Sequence, residues 1–378
     1  MSRVTGSLSH RKDRCADEVR RADEPLTRDT NSLRIALGSL PCNARATAAG
    51  ALALALALGA AACGDDAAVG GPDRIVVGAA PPVWEQLSDR LHEVLEPTYF
   101  PLPDEQAFEL VPADPTAEPW EEERRARQVL LIGTPDDPWI ADAWERGVGP
   151  SPPVPSLTKL TDLWAKGQRV LMLLLPPEGV DAALEETIAD VRVTFDRWYR
   201  EYVVERMYFP AGPDGALADS LQVAAGFDLL VPRDYEWTRA GDAFLFQPPD
   251  TDTTALRRRI AVTWQSPIPA ATRGAATAML AWRERLSTER YGIRQRVEPA
   301  GVHGGATTHR GNFALHLVGT WRADGASGPF LLRGVMCPTQ DRMYLLDGWL
   351  YAPGERGQEY MVQLESILNS FRCGSANR

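Results

Sequence analysis

The sequence predicts an α+β protein of two lobes, each with helices packed on a largely antiparallel sheet. Three observations predict it. Leu184, Ile188, Val191, Phe195, Trp198 and Tyr202 recur at steps of four and three residues, which lays one apolar stripe along a long helix. Short apolar runs bounded by Gly and Pro read as strands. Near the carboxy terminus, three such runs are joined by Ala323-Asp324-Gly325 and Pro338-Thr339-Gln340-Asp341, the turn chemistry of a meander.

The elements follow in order. Arg74 to Gly78 is a strand, and Trp84, Leu87, Leu91, Val94 and Leu95 keep helical spacing after it. Gln128–Gly133 and Arg169–Leu175 are buried-strand candidates, the second stopped by Pro176-Pro177. The striped helix runs to about Met207. Pro210 to Gly215 breaks the chain and is the expected boundary between an amino-terminal α/β lobe, 73–209, and a carboxy-terminal lobe, 216–373, that is expected to fold by itself. In the second lobe Arg239 to Asp242 turns the chain into a strand at Ala243–Phe246. Arg257–Trp264 is a strand with Ile260, Val262 and Trp264 on one face, and a helix covers about Gly274 to Arg290. The meander is Phe313–Trp321, Phe330–Cys337 and Arg342–Tyr351. A closing helix then carries Tyr360, Leu364, Ile367, Leu368 and Phe371 on one side and stops at Gly374.

The start of the chain predicts a location. Ala46 to Ala62 is an uncharged stretch with Arg45 before it and Cys63-Gly64-Asp65-Asp66 after it. A basic flank, an apolar core and small residues before a cut site describe a secretory signal. The segment resembles a bacterial lipobox, with Ala60 where Leu is usual, so Cys63 is the expected lipidation site. Two or three acyl chains there would anchor firmly. A transmembrane helix is the alternative, at the short limit for a bilayer. The polar residues before Arg45 suit a downstream true start or a disordered leader, so 1–62 is set aside as leader and signal and 63–72 as a tether.

Charge narrows the partners. From residue 63 on, 31 Lys+Arg face 45 Asp+Glu. A surface that acidic repels phosphate backbones, so no nucleic acid is expected as partner, nor a polybasic surface as the main membrane contact. The expected partners are the membrane, through the lipid, and an envelope protein or small-molecule ligand.

Four short motifs appear in fixed order: Gly319-Thr320-Trp321, Gly328-Pro329-Phe330, Gly348-Trp349-Leu350-Tyr351-Ala352-Pro353 and Leu364-Glu365-Ser366-Ile367-Leu368. The order resembles the domain of unknown function 4837 family of bacterial envelope lipoproteins. Weaker similarity at Leu102-Pro103-Asp104-Glu105 and over Phe227 to Pro249 extends the resemblance across most of the body. Trp349 stands where the family usually has Phe, which marks a divergent member. The resemblance implies export and carries no activity. The meander with a helix ending in Ser370-Phe371-Arg372 also looks like the α/β/α sandwich of PsbP-like and Mog1-like domains, which implies fold alone.

Chemistry is sparse. Cys15 and Cys42 fall in the leader, leaving Cys337 and Cys373 in the body. In an exported protein this pair is a disulfide candidate, ahead of two separate thiols. His303 and His309 lie in a Gly-rich stretch that reads as a loop, and His316 in a strand. Their spacing matches no metal motif, and no cofactor is expected. Gly325-Ala326-Ser327-Gly328 lacks the spacing of a nucleophile elbow. The eleven tryptophans all lie in the body and are read as core. A non-catalytic binding protein is therefore expected ahead of an enzyme with an unrecognised site.

Overall fold

The computed structural model describes residues 67–102, 105–147, 153–249, 256–270 and 276–374. Cys63 and the leader lie outside them, as do Asp104 and the expected helix start at Gly274. No helix among the described residues is long and apolar enough to cross a membrane.

Gly64–Arg378 forms one compact unit. Its helices are α1 Pro81–Leu95, α2 Trp120–Glu123, α3 Pro138–Gly147, α4 Val180–Tyr208, α5 Gly215–Ala225, α6 Ala276–Arg290 and α7 Gln358–Ser370. The strands of the first half are β1 Arg74–Gly78, β2 Glu109–Ala113, β3 Gln128–Gly133, β4 Ser156–Thr161 and β5 Arg169–Leu174. The second half adds β6 Phe227–Asp228, β7 Glu236–Ala240, β8 Ala243–Gln247, β9 Arg257–Gln265, β10 Arg296–Val297, β11 His303–His309, β12 Asn312–Ala323, β13 Ala326–Cys337, β14 Arg342–Tyr351 and β15 Arg372–Cys373.

Mixed α and β content is as expected, and so is the antiparallel second sheet, ordered β10-β12-β13-β14-β9-β8-β7 with β11 beside β12. The first sheet corrects the expectation. Its order is β2-β1-β3-β5-β4, and the β1–β2, β1–β3 and β3–β5 pairs are parallel; only β4 runs antiparallel. The reason is visible in β3 and β5. QVLLIG and RVLMLL are apolar at nearly every position, because both faces are covered. Ile75, Val77, Leu130, Ile132, Leu171 and Leu173 face α1 and α4, while Val76, Val129, Leu131, Val170 and Met172 face Trp120 of α2 and Trp139 and Ile140 of α3.

Residues 209–214 link α4 to α5, and the packing runs across them. One core joins the inner face of the first sheet, α1, α4, α5 and α7, and the inner face of the second sheet through Phe244, Ile260, Val262, Leu331 and Leu346. The outer face of the second sheet is covered by α6, through Met279, Leu280, Trp282 and Leu286. The layers are therefore α2/α3, sheet, a shared helical layer, sheet, α6. Long-range polar contacts clamp the halves. Arg356 pairs with Asp73, and Arg200 with Glu365. The Glu105 carboxylate accepts from Gly357 N at 2.8 Å and Gln358 N at 3.0 Å, so a residue of the first half caps the amino terminus of α7.

Candidate functional site

A cleft lined by histidine, arginine, carboxylate and amide side chains lies where β11, β12 and β13 meet the end of α7. Alternation along the strands puts His309 of β11, His316 of β12 and Arg333 of β13 on this side; β12 and β13 pair His316 directly with Arg333. One turn apart on α7, Glu365 and Asn369 close the cleft, whose volume is about 540 Å³. The segment expected to be a Gly-rich loop is thus strand β11, paired from His303 through His309 with β12. Gly304 permits this. Its φ is +127°, and a Cβ there would collide with the His316 carbonyl.

The bonding fixes what each group can do. His309 is buried, and its Nε2 lies 2.8 Å from the Phe371 carbonyl oxygen, which can only accept. Nε2 therefore carries the hydrogen, and Nδ1 accepts from Arg333 Nη1 at 3.1 Å. Arg333 Nη1 also donates to Asn369 Oδ1 at 2.7 Å. Arg333 is 7 % exposed and has no carboxylate at ion-pair distance among the described residues. Burial lowers its affinity for its proton and pushes both His309 and His316 below their usual range, so both imidazoles are neutral near neutral pH. Glu365 is held by Arg200. The His316 Nδ1 is buried without a hydrogen-bond partner among the described residues.

The disulfide candidates flank this cleft. Cys337 ends β13 and Cys373 lies on β15, which pairs with β6. Their sulfurs are at bonding distance and their Cα atoms are 5.9 Å apart, inside the range a bridge requires. Asn312 Nδ2 approaches Cys373 Sγ at 3.5 Å. Cys63 lies outside the described residues. Among those residues no group of His, Cys, Asp and Glu is placed to hold a metal ion. Most tryptophans are buried or half-buried, as read; Trp237 is the exposed one. Sequence reasoning noticed the histidines and missed Arg333, Glu365 and Asn369. The (i, i+4) spacing of the last two was available, but Arg333 comes from another strand, and only the register joins them.

The fold and cleft define a class: a two-sheet α+β body with a cationic, histidine-lined cleft. The family model described as Domain of unknown function (DUF4837) matches residues 216–370, so the resemblance carried by the four motifs holds over that stretch. No curated protein matches the chain in sequence. Among solved structures, the Ran-binding protein Mog1p of Saccharomyces cerevisiae is similar over 40% of this chain and 91% of its own, at 8% identity and a TM-score of 0.28. LpqN of Mycobacterium tuberculosis, described as involved in cell envelope biogenesis, is similar over 38% of this chain and 81% of its own, at 16% identity and a TM-score of 0.25. Likeness at this level says nothing about chemistry.

Proposed function

We propose that the protein is an exported lipoprotein, held to a membrane through Cys63, whose body binds an anionic ligand in the β11–β13/α7 cleft without transforming it. The observation that carries the binding reading is Arg333. A buried guanidinium normally meets a carboxylate. Here its named partners are a neutral imidazole and a carboxamide, and it borders an open cleft. Glu365 lines the same cleft but is held by Arg200, so a carboxylate or phosphate group entering the cleft would add negative charge beside Arg333. Binding is favoured over catalysis by the histidines. Both ring nitrogens of His309 are engaged, and among the described residues no hydrogen bond to His316 Nδ1 orients that ring as a general base requires. Both body cysteines are engaged with each other.

Two measurements test the two parts. Thermal shift with inorganic phosphate and citrate should raise the melting temperature of the wild type and not of Arg333→Gln; no shift with either anion sinks the ligand reading. Radioactive fatty acid should label the wild type and not Cys63→Ser; label retained in the variant sinks the anchor.

A further inference from the structure

The chain joins the body at one corner. Ala67 bridges Lys166, and Ala68 N donates to Lys166 O at 2.9 Å. Val69 N donates to Arg125 O at 3.1 Å, and Arg127 N donates to Val69 O at 2.8 Å. The Arg127 side chain then folds back, with Nε donating to Gly70 O at 3.3 Å and Nη2 to Ala68 O at 3.4 Å. These contacts pin residues 67–70 between the start of β3 and the β4–β5 turn.

Two clefts border this corner. A cleft of about 520 Å³ is lined by Arg127, Arg169 and Arg206 together with Trp198, Tyr202 and Phe209. Arg127 lies over the Tyr202 ring and Arg169 over that of Trp198, at 5.1 and 5.8 Å from the centroids. Acidic groups are present too. Asp162 and Glu205 line the cleft, Glu201 pairs with Arg169 at 2.7 Å, and Glu359 pairs with Arg206 at 3.9 Å. Across the pinned chain a second cleft adds Arg124, Arg146 and Lys166; Arg124 pairs with Glu121 at 2.5 Å, and Asp142 pairs with Arg146 at 2.9 Å. Lys166 is one of only three lysines in the sequence, is exposed, and has no carboxylate at ion-pair distance among the described residues. Two of the most exposed large apolar side chains border the same corner: Phe209, 79 % exposed, and Val69, 52 % exposed.

Covalent geometry places this corner. Cys63 precedes Ala67 by four positions, and four residue steps span at most about 14 Å whatever their conformation. A lipid on Cys63 therefore holds the corner within one or two Debye lengths of the headgroups, where basic side chains sense surface charge. The solvent-facing Phe209 suits the same interfacial layer.

We infer that the Arg127–Arg169–Phe209 cleft and its Lys166 rim form a bilayer-contact face that seats the headgroups of anionic phospholipid. The inference rests on the lipoprotein reading; the short reach from Cys63 selects the occupant, together with Arg127 and Lys166, which have no carboxylate at ion-pair distance among the described residues. The face orients a body that the lipid alone would leave free to tumble.

The test uses the compact unit 64–378 without any lipid, so that the anchor plays no part. Sedimentation with phosphatidylglycerol-containing vesicles and with phosphatidylcholine vesicles compares wild type, Lys166→Gln/Phe209→Ser, and Arg90→Gln as a control. Arg90 pairs with Glu185, near the opposite end of α4 from Phe209. The expected result is preferential binding to the anionic vesicles, weakened at least about fivefold by the double variant and unchanged by the control. No sedimentation with anionic vesicles, equal binding to both compositions, or binding that the double variant leaves intact overturns the inference. If the double variant melts early, Lys166→Gln alone carries the comparison, since that side chain is exposed. Fatty-acid labelling of Cys63 is read separately. Label without vesicle affinity removes this face and leaves the anchor; vesicle affinity without label does the reverse.

Discussion

Two buried residues on the outer side of the second sheet show how much a single charge can weigh. Arg283 and Asp347 are both 0 % exposed and joined at 2.8 Å, and Arg283 also donates to Gln295 Oε1 at 2.6 Å and lies over the Phe330 ring. Burial pushes the Asp347 carboxyl above its usual range, and the adjacent guanidinium offsets only part of that. Replacing one partner strands the other. Arg283→Met should destabilise by roughly 3–5 kcal/mol, whereas Arg283→Met/Asp347→Leu should recover much of the loss; chemical denaturation of both variants measures it. The cleft histidines give a pH signature. His309 faces Arg333 and Arg310, and His316 faces Arg333 and Glu365, yet for both burial is the largest cause of a value depressed below 6.5. The folded state therefore binds fewer protons than the unfolded state once pH drops below the unfolded value. Stability is complete above about pH 6.5 and declines as pH falls through the folded values. Melting temperature should drop between pH 7 and 5, and His309→Gln/His316→Gln should flatten that slope; an unchanged slope would exclude these two groups as its source.

Single elements explain motifs that looked weak in isolation. Leu102 and Glu105, from the faint amino-terminal similarity, both serve α7. A Cβ on Gly357 would strike the Leu102 side chain, and Glu105 caps the helix. Glu105→Ala should cost about 1 kcal/mol, read as a lower denaturation midpoint at unchanged slope. The Cys337–Cys373 bridge closes a separation of 36 residues. By loop entropy it contributes about 3–4 kcal/mol, so reduction should lower the melting temperature and unreduced peptide mapping should recover the linked pair. The meander and α7 are legible in sequence because turn residues and a 3.6-residue period coincide there. Other elements are not. Glu109–Ala113 carries Pro112, and Ser156–Thr161 is an edge strand exposing polar residues, so neither β2 nor β4 has an apolar run to detect. Strand β11 hides for the same reason, with two glycines and two threonines at a sheet edge.

At the scale of the whole molecule, the break at Pro210 to Gly215 reads as a domain boundary because composition reports the path of the chain and not its packing. The apolar stripe of α4 is visible; its partners across the shared layer, such as Leu364 and Ile367 of α7, are named by no local rule. The candidate site is hidden likewise: His309, Arg333 and Asn369 converge only through strand register. A fragment beginning at Ala216 would expose the faces of α7 and the second sheet that α4 covers, so it should melt without cooperativity. Differential scanning calorimetry of residues 216–378 is the measurement, and one sharp transition at the full-length enthalpy per residue would show that the second sheet is self-sufficient.

The shared helical layer also sets an order of events. Chains are synthesised amino terminus first, so β1 to β5 and α4 are complete while α7, which finishes the layer, is still about 150 residues from release. Throughout that interval Phe195, Val191 and Val203 lack part of their final cover. The nascent intermediate is thus a half-built sandwich with one greasy side. It must either be shielded by a holdase or outpace aggregation until the last helix arrives, and Glu105 and Asp73 wait on the early half as the latches that the late segment at Arg356 to Gln358 will close.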